Sequence, residues 1–243
     1  MSDDPTHGPD EQTPAPGDPA HDAGAAAPAP DAARGQGVVA PGPDGRPRCF
    51  WAVGAPEYLG YHDDEWGRPV TTDDGFFERL CLEGFQSGLS WLTILRKRPA
   101  FRAAFAGFRV AEVAAFGPAD VERLMNDAGI VRNRRKIEAA VHNAGRCLEV
   151  IAECGSLAAL VWRFRPAQEP EPIRARGDWP AVTPESTALA VELRKRGFRF
   201  VGPTTAYATM QAAGLVNDHA EGCCVRDEVD REQRAVAAKL TPR

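Results

Sequence analysis

Apolar residues recur at spacings of three and four along most of the chain after residue 48, which is the period of helices that bury one face. A clear stripe of this kind follows Asp73 and Asp74, either of which can cap the start of a helix. Its members are Phe76, Phe77, Leu80, Cys81 and Gly84. No sustained alternation of apolar and polar residues between hairpin turns occurs, so the pattern predicts an all-α fold.

The same spacing, together with the usual start and stop residues, predicts the other helices. They cover residues 90–95, 110–115, 118–126, 133–153, 157–164, 185–196 and 204–213. Residues 165–181 are rich in proline, glycine and charge, so we expect them to form a long connecting loop.

Composition divides the chain into three parts. Residues 1–47 are mostly Pro, Ala, Gly and Asp and have too little apolar surface to offset the entropy of ordering, so they are predicted to be a disordered tail. This tail carries a net charge of −6 and the whole chain −5, so the rest carries +1 and a polyanionic partner is not excluded. Residues 48–224 are predicted to form the helical domain, and residues 225–243 a charged C-terminal extension.

No feature of the sequence predicts export or membrane insertion. The tail lacks a basic start followed by an apolar run, and no later apolar stretch approaches the roughly 20 residues needed to cross a bilayer. We therefore expect a cytoplasmic, monomeric protein with no membrane partner. Its six cysteines would then be metal ligands or buried thiols rather than disulfides.

Two pairs of metal-competent residues lie near opposite ends of the predicted domain. His219 and Cys223 are four residues apart, and Cys49 and His62 form a second pair much earlier in the chain. Two histidines and two cysteines are a common tetrahedral zinc set, and four protein ligands leave no open position for a catalytic water. The sequence therefore predicts one structural Zn²⁺ per chain that joins the two ends of the domain. A catalytic zinc hydrolase, the alternative, would need one ligand to be displaced.

Residues 124–137 predict a helix–hairpin–helix. One helix ends near Asn126, Gly129 lets the backbone turn tightly, and a basic helix begins with Asn133 as its cap. Backbone N–H groups and cations at such a helix start can bind phosphates, so the segment is a candidate for sequence-independent DNA binding. The candidate residues are Gly129, Arg132, Arg134, Arg135 and Lys136. An ordinary turn before a solvated basic helix is an equally good interpretation of this segment alone.

Glu83 is an acidic residue among apolar ones. Helical geometry turns it toward the side that carries Phe76 and Leu80, where a carboxylate is costly unless it meets a cation or strong donors. Aromatic residues are available to wall a pocket around it: Trp51, Tyr58, Tyr61, Trp66 and Trp91. Two simpler interpretations stay open, in which Glu83 reaches water at the helix end and the aromatic residues belong to the core.

These segments, in this order, resemble the DNA-3-methyladenine glycosylase I family of the helix–hairpin–helix glycosylase superfamily. The resemblance extends over residues 48–224 and does not include the tail or the C-terminal extension. The matching residues are 49–51, 58–67, 81–84, 88–91, 127–130, 196–198, 200–202, 210–212, 214–219 and 222–224. The resemblance implies a helix–hairpin–helix glycosylase fold whose N- and C-terminal parts are joined by a structural zinc ion.

The resemblance also assigns roles to residues. It implies zinc ligands at Cys49, His62, His219 and Cys223. It implies a base pocket formed by Glu83, Tyr61, Trp91, Tyr58 and Trp51. Glu83 is the catalytic residue in this assignment, and Gly88 and Leu89 match the place where the family fills the gap that a flipped base leaves in the duplex. Phe85 stands where some relatives have a polar residue, so we expect the groove-facing edge of the site to differ.

The implied activity is base-excision repair by hydrolysis of the N-glycosidic bond of 3-methyladenine in double-stranded alkylated DNA, with free 3-methyladenine as product. Methylation at N3 puts positive charge on the ring and weakens its bond to the sugar, so the enzyme mainly needs to flip and hold the base. A buried carboxylate between aromatic faces suits a cationic ring. Activity on 3-methylguanine and the identity of the water-activating group stay open. A non-catalytic binder of damaged DNA is the alternative, and Glu83 would then have no purpose.

Overall fold

Ten α-helices and one two-stranded sheet make up residues 37–240, the part of the chain that this computed structural model describes. The strands β1 (Val39–Pro41) and β2 (Pro47–Cys49) pair antiparallel. The helices are α1 (Pro56–Asp64), α2 (Asp73–Gln86), α3 (Trp91–Ala104), α4 (Val110–Ala114), α5 (Pro118–Asn126), α6 (Arg134–Cys154), α7 (Leu157–Trp162), α8 (Pro184–Lys195), α9 (Pro203–Ala212) and α10 (Arg226–Leu240), with 3-10 turns at Phe50–Gly54 and Ala106–Phe108. The fold is mostly helical, as predicted, and the small sheet is a feature that the sequence pattern did not predict.

The sheet corrects the predicted start of the domain. Strand β1 lies within residues 1–47, which were expected to be disordered, yet it pairs with β2. In the turn between the strands, both carboxylate oxygens of Asp44 accept hydrogen bonds from the buried Arg48 guanidinium, at 2.6 and 2.8 Å. The ordered domain therefore begins before residue 48. The prediction for residues 1–36 lies outside the described residues.

The start of α2 differs from the prediction. Its N-cap is Thr72, whose hydroxyl accepts a backbone N–H one turn into the helix at 3.2 Å, so the assignment of the cap to Asp73 or Asp74 was wrong. Both aspartates instead bind the starts of other helices. Asp73 accepts a hydrogen bond from Ser156 Oγ (2.7 Å) before α7, and Asp74 accepts one from Val110 N (2.8 Å) in α4. Helix α2 is thereby fixed to α7 and α4 at its first turn.

The hairpin between α5 and α6 follows the prediction closely. Helix α5 ends at Asn126, and Asn133 Oδ1 accepts a hydrogen bond from Lys136 N (3.3 Å), so Asn133 is the cap of α6 as expected. Helix α6 ends at Gly155, whose φ of +83° is a left-handed conformation that glycine adopts at little cost. The hairpin therefore presents the start of the longest described helix next to the predicted pocket segment.

Two apolar clusters form the interior. The larger one contains α2 and six fully buried phenylalanines: Phe76, Phe77, Phe85, Phe101, Phe105 and Phe108. The smaller one joins the N-terminal part of the domain to residues 220–225 and contains Trp51, Tyr58, Tyr61 and Trp66. Trp91, the first residue of α3, packs against both clusters. The predicted base pocket thus lies where the two clusters meet.

Helix α10 extends the domain past its predicted boundary at residue 224. Val229 is fully buried, and Gln233 Nε2 donates hydrogen bonds to Gly67 O (2.7 Å) and Val216 O (3.0 Å). Residues 225–240 therefore contribute to the core rather than forming a separate extension. Residues 165–181 form a loop, as predicted, with one isolated parallel bridge between Ile173 and Ala220. No described helix combines the length and apolar character needed to span a membrane.

Candidate active site and metal site

The four predicted metal ligands meet in one buried cluster. Their ligand atoms all lie within 4.8 Å of one another: Cys49 Sγ, the ring nitrogens of His62 and His219, and Cys223 Sγ. His62 Nε2 and His219 Nδ1 are 3.1 Å apart, and Cys223 Sγ lies 3.4 and 3.6 Å from these two atoms. Tetrahedral bonds of about 2.0–2.3 Å to one zinc ion would separate such atoms by roughly 3.3–3.8 Å. The cluster therefore has the size and ligand types of a zinc site.

Neighbouring hydrogen bonds fix which ring nitrogen of each histidine faces the cluster. Asp63 Oδ1 lies 2.7 Å from His62 Nδ1, which leaves Nε2 for a metal. Trp66 O accepts a hydrogen bond from His219 Nε2 (3.0 Å), which leaves Nδ1. Asp63 is held in turn by the Arg48 guanidinium at 2.8–3.0 Å. Outer contacts of this kind orient zinc-bound imidazoles.

The protonation of the cluster also suits a cation. Burial lowers the pKa of His219, which favours the neutral imidazole. A hydrogen bond with Cys49 holds the pKa of the Cys223 thiol far below its usual range, whereas burial raises the pKa of Cys49. Cys223 therefore ionises readily, whereas Cys49 ionises only beside a cation. Thiolate and neutral imidazole are the forms that bind zinc.

Trp51 connects the metal cluster to the predicted base pocket. Its ring meets the His62 ring edge-on with centroids 5.3 Å apart, and the Trp66 ring at 4.9 Å. It also meets Tyr58 at 5.7 Å and Tyr61 at 6.4 Å. Aromatic pairs at these distances are favourable contacts. The cluster therefore positions the aromatic residues of the pocket as well as closing the domain.

Glu83 lies in the interior without a partner. Its side chain is 7% exposed, and within residues 37–240 no group forms a hydrogen bond or ion pair with its carboxyl. Burial raises the pKa of Glu83 to about 8, opposed only by the charge of Arg79 one helical turn earlier. The charge of Glu83 in turn adds to the effect of burial in raising the pKa of Tyr61. Glu83 therefore lies on the buried side of α2, as its helical position predicted, with 7% of the residue exposed.

Buried polar atoms without partners occur in and near the residues assigned to the base pocket. The rings of Tyr61 and Trp91 lie 5.3 Å apart at an angle of 49°. In the described part of the chain, Trp51 Nε1, Trp91 Nε1 and Gln86 Oε1 are buried and have no hydrogen-bond partner. Buried polar groups are normally hydrogen bonded, so unpaired ones are suited to receive a polar ligand or water. The aromatic rings and the unpaired polar atoms are suited to line one side of a site for a flat polar ring.

The loop between α2 and α3 presents the residues predicted to fill the gap in the duplex. Gly88 has φ of +80°, and Leu89, although large and apolar, is 39% exposed. Both backbone groups of Leu89 are fixed by Gln86, because Leu89 N donates to Gln86 O (2.7 Å) and Gln86 Nε2 donates to Leu89 O (3.0 Å). The loop therefore holds an apolar side chain in solvent beside the helix that carries Glu83.

Gly129 is needed for close packing rather than for a left-handed turn. A Cβ at this position would lie 2.8 Å from Ala100 Cβ and 2.9 Å from Asp127 Oδ1. Gly129 N donates to Asp127 Oδ1 (2.7 Å), so this N–H group is already paired and Gly129 stays a DNA-binding candidate only through its place in the turn. Lys97 Nζ donates to Ala128 O (3.0 Å) and to Gly129 O (3.2 Å). These contacts attach the hairpin to α3, the helix that begins at the pocket.

Lys136 has a structural role that differs from the prediction. Its ammonium donates to Phe85 O (2.9 Å) and Ser87 O (2.5 Å) at the end of α2, and burial lowers the pKa of Lys136. A cation at a helix C-terminus satisfies carbonyl groups that have no partner within the helix. Lys136 therefore joins the hairpin to the Leu89 loop instead of providing a free charge for DNA.

The three arginines of the hairpin differ in how free they are. Arg134 donates to both carboxylate oxygens of Glu122, at 2.8 and 3.0 Å. Arg132 and Arg135 are exposed, and neither forms an ion pair with another described residue. Of the predicted basic contacts, Arg132 and Arg135 are thus the ones available to a phosphate without breaking an existing bond.

Three residues that position the site were not predicted to do so. Asp63 orients a metal ligand, Trp66 supplies a carbonyl to the other histidine, and Gln86 fixes the Leu89 loop. A carboxylate directly after a candidate histidine ligand is a signal that could have identified Asp63. The roles of Trp66 and Gln86 depend on tertiary contacts, and we find no local signal for them.

Enzymes that act on a base in DNA flip it into a pocket and stack it against aromatic or apolar side chains. Residues 51–227 match the methyladenine glycosylase family, and the chain belongs to this family. DNA-3-methyladenine glycosylase 1 of Escherichia coli K12 is 48% identical over 179 residues, which are 73% of this chain and 95% of that protein. A crystal structure of 3-methyladenine DNA glycosylase I is similar with a TM-score of 0.70 at 47% identity, covering 73% of this chain and 98% of that one. A Staphylococcus aureus structure that concerns recognition of 3-methyladenine has a TM-score of 0.68 at 35% identity, covering 71% and 93%.

Proposed function

We propose that this chain excises 3-methyladenine from alkylated duplex DNA by hydrolysing its N-glycosidic bond, the first step of base-excision repair. The observation that carries this proposal is the buried, unpaired carboxyl of Glu83 near Tyr61, whose ring contacts Trp91. The relatives' names specify 3-methyladenine as the substrate class. A binding module without catalytic activity would have no need to bury an acidic group at this cost.

The pocket suits a cationic base better than a neutral one. Without a ligand, burial raises the pKa of Glu83 to about 8, so near neutral pH its carboxyl is mostly protonated. A positively charged ring next to it favours the ionised form, and the faces of Tyr61 and Trp91 add cation–π attraction. Neutral purines provide neither contribution. Selectivity for a methylated, cationic adenine follows from charge complementarity.

After the base is bound, hydrolysis of the bond requires no strong acid or base from the protein. The bond between C1′ and N9 breaks and its electron pair goes to the ring, which leaves as neutral 3-methyladenine. The oxygen of water then bonds to C1′, and the proton of that water passes to solvent. Glu83 holds the base while it departs. The three acids of α6 already pair with arginines: Glu138 with Arg134 (3.9 Å), Glu149 with Arg146 (2.5 Å) and Glu153 with Arg196 (2.8 Å). This agrees with a lesion that needs no strong general base.

We also infer that the cluster of Cys49, His62, His219 and Cys223 holds one Zn²⁺ with a structural role. Four protein ligands complete a tetrahedral shell, so no position is open for a water that would attack the sugar. A metal bound to these four residues would instead connect β2 and α1 to the segment before α10. It would also hold His62 in place, and the His62 ring packs against Trp51. The monomeric state and the cytoplasmic location stay predictions.

In the DNA complex, we assign Leu89 and Gly88 to the gap that the flipped base leaves, and Arg132 and Arg135 to phosphate contacts. The exposure of Leu89 and the free charge of the two arginines support this assignment. Phosphate contacts carry no sequence information, which suits an enzyme that must search for rare damage. Arg134 can join them only by giving up its bonds to Glu122.

Release of bases from methylated DNA tests the proposed function. DNA treated with a methylating agent is incubated with the chain, and the soluble fraction is separated by chromatography. We expect 3-methyladenine to be released while 7-methylguanine stays in the DNA, and the same chromatogram measures any release of 3-methylguanine. Glu83→Gln should reduce the release, and Glu149→Gln, an exposed acid on α6, is the matched control. DNA binding without any base release would identify a damage binder instead.

A further inference from the structure

Phe200 is an exposed aromatic residue in a conformation that aromatic residues rarely adopt. Its side chain is 45% exposed, and its φ is +55°. Bulky residues in the left-handed region are strained, and such strain tends to persist at functional positions. Phe200 lies in the loop of residues 196–202 between α8 and α9. The loop thus holds an apolar ring in solvent at a conformational cost.

The loop is fixed by side chains of α6, the helix that begins at the hairpin. Asn143, which is 5% exposed, donates from Nδ2 to Arg199 O (2.9 Å) and accepts from Arg199 N (2.8 Å). His142 Nε2 donates to Gly197 O at 2.9 Å. These three hydrogen bonds fix the backbone at Gly197 and Arg199, immediately before Phe200. The position of Phe200 is therefore set by the fold rather than by its own preference.

Phe200 lies at the same end of α2 as Leu89. A Cβ added to Gly84 would lie 3.8 Å from Phe200 Cβ, so Phe200 passes over the last turns of the helix that carries Glu83. A shallow groove beside Phe200 is lined by Arg199, Lys136, Phe85 and Asn143. Lys136 in turn binds the carbonyl of Ser87, next to the Leu89 loop. Two exposed apolar side chains, Leu89 and Phe200, thus lie near the C-terminal end of α2.

The charge around Phe200 suits DNA. Arg199 is exposed and forms no ion pair within the described part of the chain. Arg135, at the start of the same helix α6 that supports the loop, is likewise free. An aromatic ring beside unpaired arginines is the combination that binds unstacked nucleotides, through stacking and phosphate contacts together.

We propose that the loop of residues 196–202 is a second DNA-contacting element, in which Phe200 packs against the nucleotide next to the flipped base and Arg199 binds a nearby phosphate. This inference rests on the proposed function, because it requires that DNA lies across the Leu89 loop. Leu89 then fills the gap left by the flipped base, and Phe200 contacts the DNA strand next to that gap. The two residues together hold the duplex open over the pocket.

Binding to two duplexes tests the inference in the full chain. One duplex is intact, the other has a tetrahydrofuran abasic-site analogue, and fluorescence anisotropy measures both affinities. Phe200→Ala should weaken binding to the abasic duplex by roughly tenfold, on the scale of one lost stacking contact, with a smaller effect on the intact duplex. Phe200→Asn should act alike, because asparagine accepts the left-handed backbone and removes only the ring. Arg199→Gln should weaken both duplexes and lower the salt dependence by about one phosphate.

Matched controls come from neighbouring exposed residues. Val191→Ala removes an apolar side chain that is 52% exposed on α8, and Arg194→Gln removes an exposed arginine from the same helix. Both should leave the two affinities unchanged. Wild-type affinity of both Phe200 variants, in a protein that still releases 3-methyladenine, would overturn the inference and leave the proposed function standing. Sedimentation compares the wild-type chain with the two Phe200 variants. If the wild type self-associates, and the variants do not but bind DNA as well as it does, Phe200 contacts a second copy and the inference is overturned. If the unmodified chain releases no methylated base, the proposed function itself fails.

Discussion

His62 Nε2 and His219 Nδ1 lie 3.1 Å apart although 157 residues separate them in the chain. The other ring nitrogen of each histidine is taken, by Asp63 and by Trp66 O, so both facing nitrogens offer lone pairs to the same point. Burial lowers the pKa of His219 and so disfavours a proton between them. A metal cation is the group best suited to this point, and the two thiols beside it complete its shell.

We expect one zinc ion per chain to co-purify, and Cys223→Ser to lose both the metal and stability. The free energy of metal binding becomes free energy of folding, so the loss should amount to several kcal/mol. Elemental analysis measures the zinc, and thermal unfolding measures the stability. Cys224→Ser is the matched control, because this neighbour is not among the four converging residues. Protein prepared without chelator that contains no zinc would contradict the assignment.

Two N-terminal truncations should behave differently. Deleting residues 1–36, which carry a net charge of −6, should leave base release unchanged and raise DNA affinity slightly at low salt, because a repelling polyanion is lost. Deleting residues 1–46 also removes β1 and Asp44, the partner of buried Arg48. This second truncation should therefore have a lower melting temperature than the first. Thermal unfolding of both proteins checks this. Equal melting temperatures would mean that β1 does not stabilise the domain.

The free arginines of the hairpin should govern affinity without affecting base choice. Arg132→Gln and Arg135→Gln should each weaken binding to all duplexes and lower the salt dependence by about one phosphate contact. Arg134→Gln should have a smaller effect, because Arg134 is already bonded to Glu122. Anisotropy titrations over a range of salt concentrations measure these slopes. A change in which base is released, at constant affinity, would place these residues in the base pocket instead.

Local signals were sufficient where the determinants of an element are close in sequence. The predicted range 118–126 is that of α5, because a proline at the first turn and an apolar stripe are all that this helix needs. The cap of α2 could not be predicted from the same kind of signal. Asp73 and Asp74 resemble caps, but their partners lie 83 and 36 residues away, and only the tertiary fold brings them there.

In the candidate site, too, some features could be predicted from local sequence and others depend on tertiary contacts. The types and spacing of the metal ligands were sufficient to predict their convergence, since few arrangements of two cysteines and two histidines serve another purpose. The role of Lys136 could not be predicted, because the start of a basic helix looks alike whether its cations face solvent or a neighbouring helix end. Its acceptors, Phe85 O and Ser87 O, lie 51 and 49 residues away. Phe200 gave no signal, since an exposed ring is indistinguishable from a core residue in sequence.

Replacing Glu83 with glutamine should weaken the base pocket without abolishing catalysis. Glutamine keeps the shape and some hydrogen bonding but cannot become charged, so affinity for free 3-methyladenine should fall by roughly 1–3 kcal/mol. Excision should be reduced yet measurable, because the cationic base leaves readily. Tryptophan fluorescence, with Trp91 and Trp51 close to the pocket, reports base binding, and single-turnover assays report excision. Total loss of excision with intact folding would make Glu83 an essential chemical catalyst.

The raised pKa of Glu83 also predicts how stability depends on pH. Because its pKa is about 8 in the folded protein and 4.5 as the ordinary value, the folded state binds this proton more tightly than the unfolded state. The resulting stabilisation is fully present at low pH and is lost as the pH rises from about 4.5 through about 8. Glu83→Gln never ionises, so relative to wild type it should be more stable at pH 9 than at pH 5, on the order of a few kcal/mol. Urea unfolding at both pH values measures the difference, and Glu149→Gln should show none of it. An equal effect of Glu83→Gln at the two pH values would mean that the folded protein does not hold this carboxyl neutral, and would contradict recognition of a cationic base by a buried, unpaired carboxyl.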